Sequence, residues 1–229
     1  MGTLLLIRHA QASFGAADYD QLSSVGKEQS QRLGAWLKHV GRAPDLVALG
    51  SMRRHAQTAE LCTQAAGMSA PRIVLTGLDE LDHAEIIARL RPELTAHAAL
   101  AAELARAGDP RRALQQLFVA ALERWISGRF DGEYTRTWDS FRAAALAGLQ
   151  RLSKHGARTI WAFTSGGPIA VIVNALLRAP SDEAFALSWP LVNTSMTRIA
   201  VGEKRDSLIS YNSAPHLDAA GDRDLITHR

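Results

Sequence analysis

Four apolar runs in this chain end in side chains equipped for chemistry. Residues 3–7 lead into Arg8, His9, Ala10 and Gln11, and residues 45–51 into Met52, Arg53, Arg54 and His55. Residues 72–76 are followed by "GLDELDHAE", which carries Asp79, Glu80, Asp82, His83 and Glu85. Residues 159–164 lead into Ser165, Gly166 and Gly167. Arginine forks bind phosphoryl oxygens in pairs, and N–H groups at a helix start add donors and a favourable dipole. A neutral imidazole can attack phosphorus, and a carboxylic acid can protonate the departing oxygen. Gathered on one rim, these groups suit phosphoryl transfer. Taken singly, each has a plainer role: a structural histidine, a solvated arginine doublet, an acidic first turn favoured by the helix dipole.

Ser165 raises a question of its own. Standing before an apolar helical run, it could be a nucleophile, a phosphate ligand or a turn residue. A serine nucleophile elbow reads Gly-x-Ser-x-Gly, with an acid and then a histidine later in the chain. Ser165 and Gly167 fit that pattern, and Asp182 and His216 would complete the order. Phe163 stands where the crowded elbow needs a small residue. A serine triad also leaves Arg8, His9 and Arg54 without a role.

The elements that must position these groups follow from periodicity. The four apolar runs read as short buried strands, while "MTRIAVG" and "SLISYN" alternate as exposed or edge strands do. Leu33, Trp36, Leu37 and Val40 recur at helical spacing, with Ser24 as the expected cap. Leu114, Leu117, Phe118, Ala121, Leu122 and Trp125 form a second helical stripe, and Trp138, Phe141, Ala145, Leu149 and Leu152 a third. Such alternation predicts an α/β fold, a three-layer α/β/α sandwich around a mostly parallel sheet. Residues 84–135 break the alternation and read as a helical insertion. They are expected over the C-terminal ends of the strands, the side on which open α/β sheets bind ligands. No linker or repeat divides the chain, so one domain over residues 1–229 is expected.

Composition narrows the partners. The 229 residues are 47% hydrophobic, enough for one well-buried core. Lys and Arg total 26 against 23 for Asp and Glu, and the doublets Arg53-Arg54 and Arg111-Arg112 lie in no basic stripe. No nucleic-acid partner is therefore expected. The single cysteine, Cys62, excludes an intrachain disulfide and reads as a buried residue of a reducing compartment. No leader-like or membrane-length apolar segment is evident, so a cytoplasmic protein without a membrane partner is expected. With neither a zinc-spaced cluster nor a Walker-type loop, no metal and no cofactor are expected.

"LLLIRHAQASFGAADYDQLSSVGKEQ" resembles the opening of the histidine phosphatase superfamily, phosphoglycerate-mutase-like branch. There an apolar strand leads to Arg-His-Gly and then to a Leu-Thr/Ser-x-x-Gly-x-x-Gln helix start, which residues 22–29 match. "SMRRHAQTAE" resembles the family's Arg-Ala-x-Gln-Thr-Ala segment, and "LDELDHAE" its Leu-x-Glu segment. "NTSMTRIAV" and "YNSAPHLD" resemble the closing strands and the His-Leu tail. The resemblance covers nearly the whole chain outside the helical insertion. It implies a phosphomonoester hydrolase in which His9 is the nucleophile and forms a phosphohistidine. Arg8 and Arg54 would clamp the phosphoryl group, and Glu80 would protonate the leaving oxygen and later activate water. Ser165, Gly166, His83 and Ser13 are further candidates for phosphate binding.

Two departures from the family pattern stand out. Ala10 replaces the glycine after the histidine, a small step. Ser165 replaces the second histidine of Ser/Thr-His-Gly-Gly, and a hydroxyl carries no charge. Losing a charge-assisted hydrogen bond costs about 1.5–3 kcal/mol, which predicts a slower phosphatase. His83, three residues past Glu80, is the candidate for a compensating imidazole, with a capping or solvent-facing role equally open. One alternative is a pseudophosphatase that binds a phosphorylated ligand without turnover, although such a binder has no use for Glu80. A mutase, whose phosphoenzyme must outlast product exchange, is another. A small phosphorylated molecule or a phosphoprotein is the expected substrate, while its identity and the oligomeric state are not written in the residues. Arg89, Arg91, Arg111 and Arg112 either attract that anion or form solvated helix faces.

Overall fold

The first apolar run forms β1 (Gly2–Arg8), whose four central residues are all buried. A computed structural model describes residues 2–13 and 20–228, apart from the side chains of His97 and Arg111. The expectation that Arg111 attracts an anion thus lies outside the described residues. After β1 come α1 (Ser24–His39), β2 (Leu46–Leu49), α2 (Arg53–Ala66) and β3 (Arg72–Val74). Helices α3 (His83–Leu90), α4 (His97–Ala105), α5 (Pro110–Ile126) and α6 (Trp138–Ser153) follow. The chain closes with β4 (Thr159–Thr164), α7 (Gly166–Leu177), β5 (Met196–Val201), β6 (Ser207–Ser213) and α8 (Pro215–Asp218).

Two units emerge, Met1–Glu80 with Ala144–Arg229, and Leu81–Ala143. The first holds a six-stranded sheet of order β3-β2-β4-β1-β5-β6. β3, β2, β4 and β1 run parallel, and β5 and β6 are antiparallel additions. The sheet is therefore mostly parallel, as the continuous apolar runs implied. Of the two antiparallel strands, β5 is interior, between β1 and β6, and β6 lies at an edge, as β3 does on the other side of the sheet. Alternation within β1 divides the core into two faces. Leu4 and Leu6 pack with Leu149, Leu152, Ile169 and Ile172, while Leu5 and Ile7 pack with Leu33, Leu37, Ala59 and Cys62. Helices thus cover both faces of one sheet. Cys62 is fully buried as expected, and burial pushes its thiol pKa up.

Register matters most for the chemistry. Arg8 lies opposite Thr164 and Leu49 opposite Phe163, so His9 and Ser165 leave neighbouring strands at one level, with Gly50 one residue behind, level with Thr164. The cap of α1 is Ser23, whose hydroxyl accepts from Gly26 N at 3.0 Å, and not the adjacent Ser24.

The second unit is built on aromatic contacts. Trp125 meets Trp138 and Phe141 edge-on, each at 5.5 Å between ring centres. These contacts extend the unit beyond residues 84–135 into the first turn of α6. Asp82 caps α3 by accepting from Glu85 N at 3.0 Å. Among the described residues, no helix is long and apolar enough to cross a membrane.

Candidate active site

The loop after β1 is held by residues of the quoted motifs. His9 N donates to Thr164 O at 2.8 Å, and Asn193 Nδ2 donates to His9 O at 3.0 Å. Ala10 N donates to Thr58 Oγ1 at 3.1 Å and Gln11 N to Gln29 Oε1 at 2.9 Å. Leu22 N donates to Gln57 Oε1 at 2.9 Å. Gly26 is needed for close approach: a Cβ there would overlap the Gln11 carbonyl oxygen and sit 3.1 Å from its carbon. Gly26, Gln29, Gln57 and Thr58 therefore act as the scaffold of the loop. With its backbone pinned on both sides, His9 has little freedom to leave its place.

His9 Nδ1 lies 2.8 Å from Ala10 O. A carbonyl can only accept, so Nδ1 carries the ring proton and Nε2 keeps its lone pair. Arg54 Nε donates to that Nε2 at 3.2 Å, and Arg54 Nη1 pairs with Asp20 Oδ1 at 2.6 Å. His9 and Arg54 are both buried. Burial first, then the charges of Arg54 and Arg8 and the His55 ring, holds the His9 pKa well below 6.5; the Ala10 carbonyl opposes them. The imidazole is neutral at ordinary pH, the form that can attack an electrophile.

Arg8 Nη1 donates to Leu191 O, and Nη2 donates to His228 O at 2.7 Å. Glu80 lies at the start of α7, where its Oε2 accepts from Gly167 N at 3.2 Å. A Cβ on Gly166 would lie 3.8 Å from Glu80 Oε2 and 3.9 Å from Arg8 Nε, so this glycine faces the same space. Thr164 is tied to the same corner, its hydroxyl donating to Leu78 O at 2.7 Å.

Ser165 is fully buried at the head of α7, but its hydroxyl caps no amide of that helix. Its Oγ lies instead 2.7 Å from His55 Nε2. His55 is fully buried, with its ring centre 5.7 Å from that of His9. Burial first, then the Arg54 charge, lowers its pKa to about 3, with the Gly50 backbone opposing. Nδ1 makes no hydrogen bond of good geometry, but the two groups that face it, the Gly50 backbone and Asp79 Oδ1 at 3.9 Å, are both acceptors. That carboxylate accepts from Ser51 N at 2.5 Å and from Ser51 Oγ at 2.6 Å. Gly50 makes the room: a Cβ there would fall 2.7 Å from His55 Cε1 and closer still to Nδ1.

The other expected residues fall elsewhere in the fold. His216 Nε2 lies 2.9 Å from Thr194 Oγ1, so the serine elbow completed by Asp182 and His216 does not form around Ser165. His83 opens α3 of the second unit, its ring edge-on to Phe118 at 4.9 Å. Ser13 joins the loop through its backbone, N donating to Gln21 O at 2.7 Å. Among the described residues, no group of three or more His, Cys, Asp or Glu could hold a metal ion.

One strand-end cluster in the first unit thus holds a neutral histidine, two arginines, a carboxylate and a glycine-headed helix. The sequence matches the pattern of the histidine phosphatase superfamily (branch 1) over residues 4–214. The chain belongs to that superfamily. Among curated proteins, none matches it significantly. Solved structures of the same fold include the alpha-ribazole phosphatase from Shigella flexneri, 19% identical, with 93% of this chain and 96% of that one covered and a TM-score of 0.63. Phosphoglycerate mutase from Bacillus anthracis str. Sterne is 16% identical, covering 96% and 97%, with a TM-score of 0.65. A mycobacterial glucosyl-3-phosphoglycerate phosphatase, solved with VO3, is 20% identical, covering 93% and 100%, with a TM-score of 0.61. Against the histidine phosphatase pattern, His55 stands where the Arg-Ala-x-Gln-Thr-Ala segment has alanine. That exchange was the one signal by which sequence reasoning could have found it.

Proposed function

We propose that this histidine phosphatase superfamily member is a phosphomonoester hydrolase working through a phosphohistidine on His9. The observation that supports this best is the His9 ring, whose Nδ1–H is spent on the Ala10 carbonyl while a neutral Nε2 faces Arg54. Nε2 attacks phosphorus, and the ester oxygen departs with a proton from Glu80. Arg54 Nε transfers its hydrogen bond from His9 to a phosphoryl oxygen, and Arg8 and the first amides of α7 add further positive potential. Water then loses a proton to Glu80 and attacks the phosphohistidine, which frees inorganic phosphate and His9. A small phosphorylated molecule or a phosphoprotein is the substrate class.

The test is a rapid quench with a labelled aryl phosphate. An acid-labile, base-stable phosphoenzyme in the wild type and none in His9→Ala is expected. Hydrolysis should proceed without added metal and be blocked by vanadate. A His9→Ala variant that still turns over would sink the mechanism. Transfer of the label to a second alcohol faster than to water would make the chain a mutase.

A further inference from the structure

We propose that Thr227 is a positioning residue of the phosphatase site: its hydroxyl closes a ring of hydrogen bonds around the backbone of residues 9–11 and so keeps the His9 proton on Nδ1. The proposal rests on the phosphatase reading above. It gives a task to residues 225–228, a segment that the mechanism leaves unused.

Four side-chain bonds make the ring. Gln11 N donates to Gln29 Oε1 at 2.9 Å, and Gln29 Nε2 donates to Thr227 Oγ1 at 2.8 Å. Thr227 Oγ1 donates to Asn193 Oδ1 at 2.9 Å, and Asn193 Nδ2 donates to His9 O at 3.0 Å. Every donor points the same way round, from the Gln11 amide to the His9 carbonyl. The two ends force that direction, because a backbone N–H can only donate and a carbonyl can only accept. Gln29 must then present its NH2 to position 227, and Asn193 its oxygen. The group between them has to accept on one side and donate on the other, which a hydroxyl does.

The ring reaches the nucleophile through one peptide plane. Gln11 N–H and the Ala10 carbonyl belong to the same planar unit and point in opposite directions. Holding the amide on Gln29 therefore aims the carbonyl at His9 Nδ1, 2.8 Å away. That acceptor keeps the ring proton on Nδ1 and leaves the Nε2 lone pair for phosphorus. Hydrogen bonds that run in one direction also polarise one another, which makes the Ala10 carbonyl a better acceptor.

Burial and anchoring support the assignment. Gln29 and Asn193 are fully buried, where an unmatched amide group is costly. The segment that carries Thr227 is itself held in place. Asn193 N donates to Thr227 O at 2.8 Å, and Gln29 Nε2 also donates to the carbonyl of buried Leu225 at 2.8 Å. One residue further on, His228 O accepts from Arg8 Nη2 at 2.7 Å. The same short segment thus braces the nucleophile loop and the arginine that precedes it.

The test is a series at position 227, read as kcat on p-nitrophenyl phosphate and as the ring-nitrogen NMR signals of His9 in protein carrying isotope-labelled histidine. Signals that vanish in His9→Ala identify the ring. The wild type should show a protonated Nδ1 and a bare Nε2. Thr227→Val keeps the shape but can neither accept nor donate. Its kcat should fall about three- to tenfold, the worth of one neutral hydrogen bond, with KM changed less than about twofold. Its two nitrogen signals should move towards each other as both tautomers become populated. Thr227→Ser should come within about twofold of the wild-type kcat, and Thr227→Cys, a weak donor and acceptor, should fall between Ser and Val.

A lower urea midpoint in Thr227→Val with kcat and nitrogen signals unchanged would make Thr227 a structural residue only and overturn the proposal. So would a loss of kcat with unshifted signals, a Thr227→Ser as slow as Thr227→Val, or a wild-type proton on Nε2. If Thr227→Val does not fold, Thr227→Cys is compared with Thr227→Ser: a slower Cys variant with shifted signals supports the proposal, and equal variants overturn it. If the wild type hydrolyses no phosphomonoester, the phosphatase reading fails by itself, and the nitrogen signals alone decide whether Thr227 positions His9.

Discussion

The two units treat charge in opposite ways. At the strand ends of the first, Arg54 and His9 are buried, and both His9 ring nitrogens and Arg54 Nε and Nη1 meet defined neighbours. In the second, Arg91 is 42% exposed and pairs with Glu93, while Arg106 is 79% exposed and lies near Glu103 on the same stretch of chain. A buried charge must be matched by geometry or it is not tolerated, so its surroundings specify one arrangement. An exposed pair is screened and contributes little. Chemistry is therefore readable from the first cluster, and the arginines of the second unit carry no comparable message.

The sharpest way to break this contrast is to remove His9. His9→Ala should cost about 10⁴-fold or more in kcat on an aryl phosphate, as loss of a nucleophile does. Glu80→Gln should cost about 10²–10⁴-fold on alkyl phosphates and much less on p-nitrophenyl phosphate, whose leaving group needs no proton. Equal losses on both substrates would remove Glu80 from the acid role. Gly26→Ala places a methyl against the Gln11 carbonyl; about 1–3 kcal/mol of stability should be lost, seen as a lower urea midpoint.

A smaller effect concerns acid. Burial lowers the pKa of His216 to about 4, and burial with the Arg54 charge lowers that of His55 to about 3. Both are neutral when folded and chargeable when unfolded, so below pH ~6.5 the unfolded chain binds more protons. Stability is full above that pH and falls as pH drops toward 4 and then 3, by about 1.4 kcal/mol per pH unit for each histidine. His216→Gln should make the fall shallower; an unchanged slope in urea titrations at pH 5–6.5 would refute its share. Least of all, Arg91→Gln in the second unit should leave Tm unchanged within error, against the large effects at the strand ends.

Much of this was legible because strand ends are a local property. The apolar runs announced four strands, and the rule that ligands gather past their carboxyl ends singled out Arg8, His9, Arg54, Glu80 and Ser165. The α1 cap slipped by one because Ser23 and Ser24 are chemically equal candidates, and only the reach to Gly26 N decides between them. β5 read as exposed because alternation says nothing of strand order, which long-range pairing with β1 decides. His55 stayed hidden for the same reason. Whether a histidine at a helix start faces solvent or the core depends on the missing side chain of Gly50 and on a serine 110 residues away. Likewise no local pattern shows Gln29 Nε2 donating to Leu225 O at 2.8 Å, a bond that braces the His9 loop with the far end of the chain.

The close approach at Gly50 involves two side chains at once. A methyl there would fall 2.7 Å from His55 Cε1 and 2.5 Å from Asp79 Oδ1, so any side chain larger than hydrogen has to push the imidazole, the carboxylate or both aside. The absent side chain is therefore a spacer: it sets how near a buried ring and a carboxylate from two separate segments can stand.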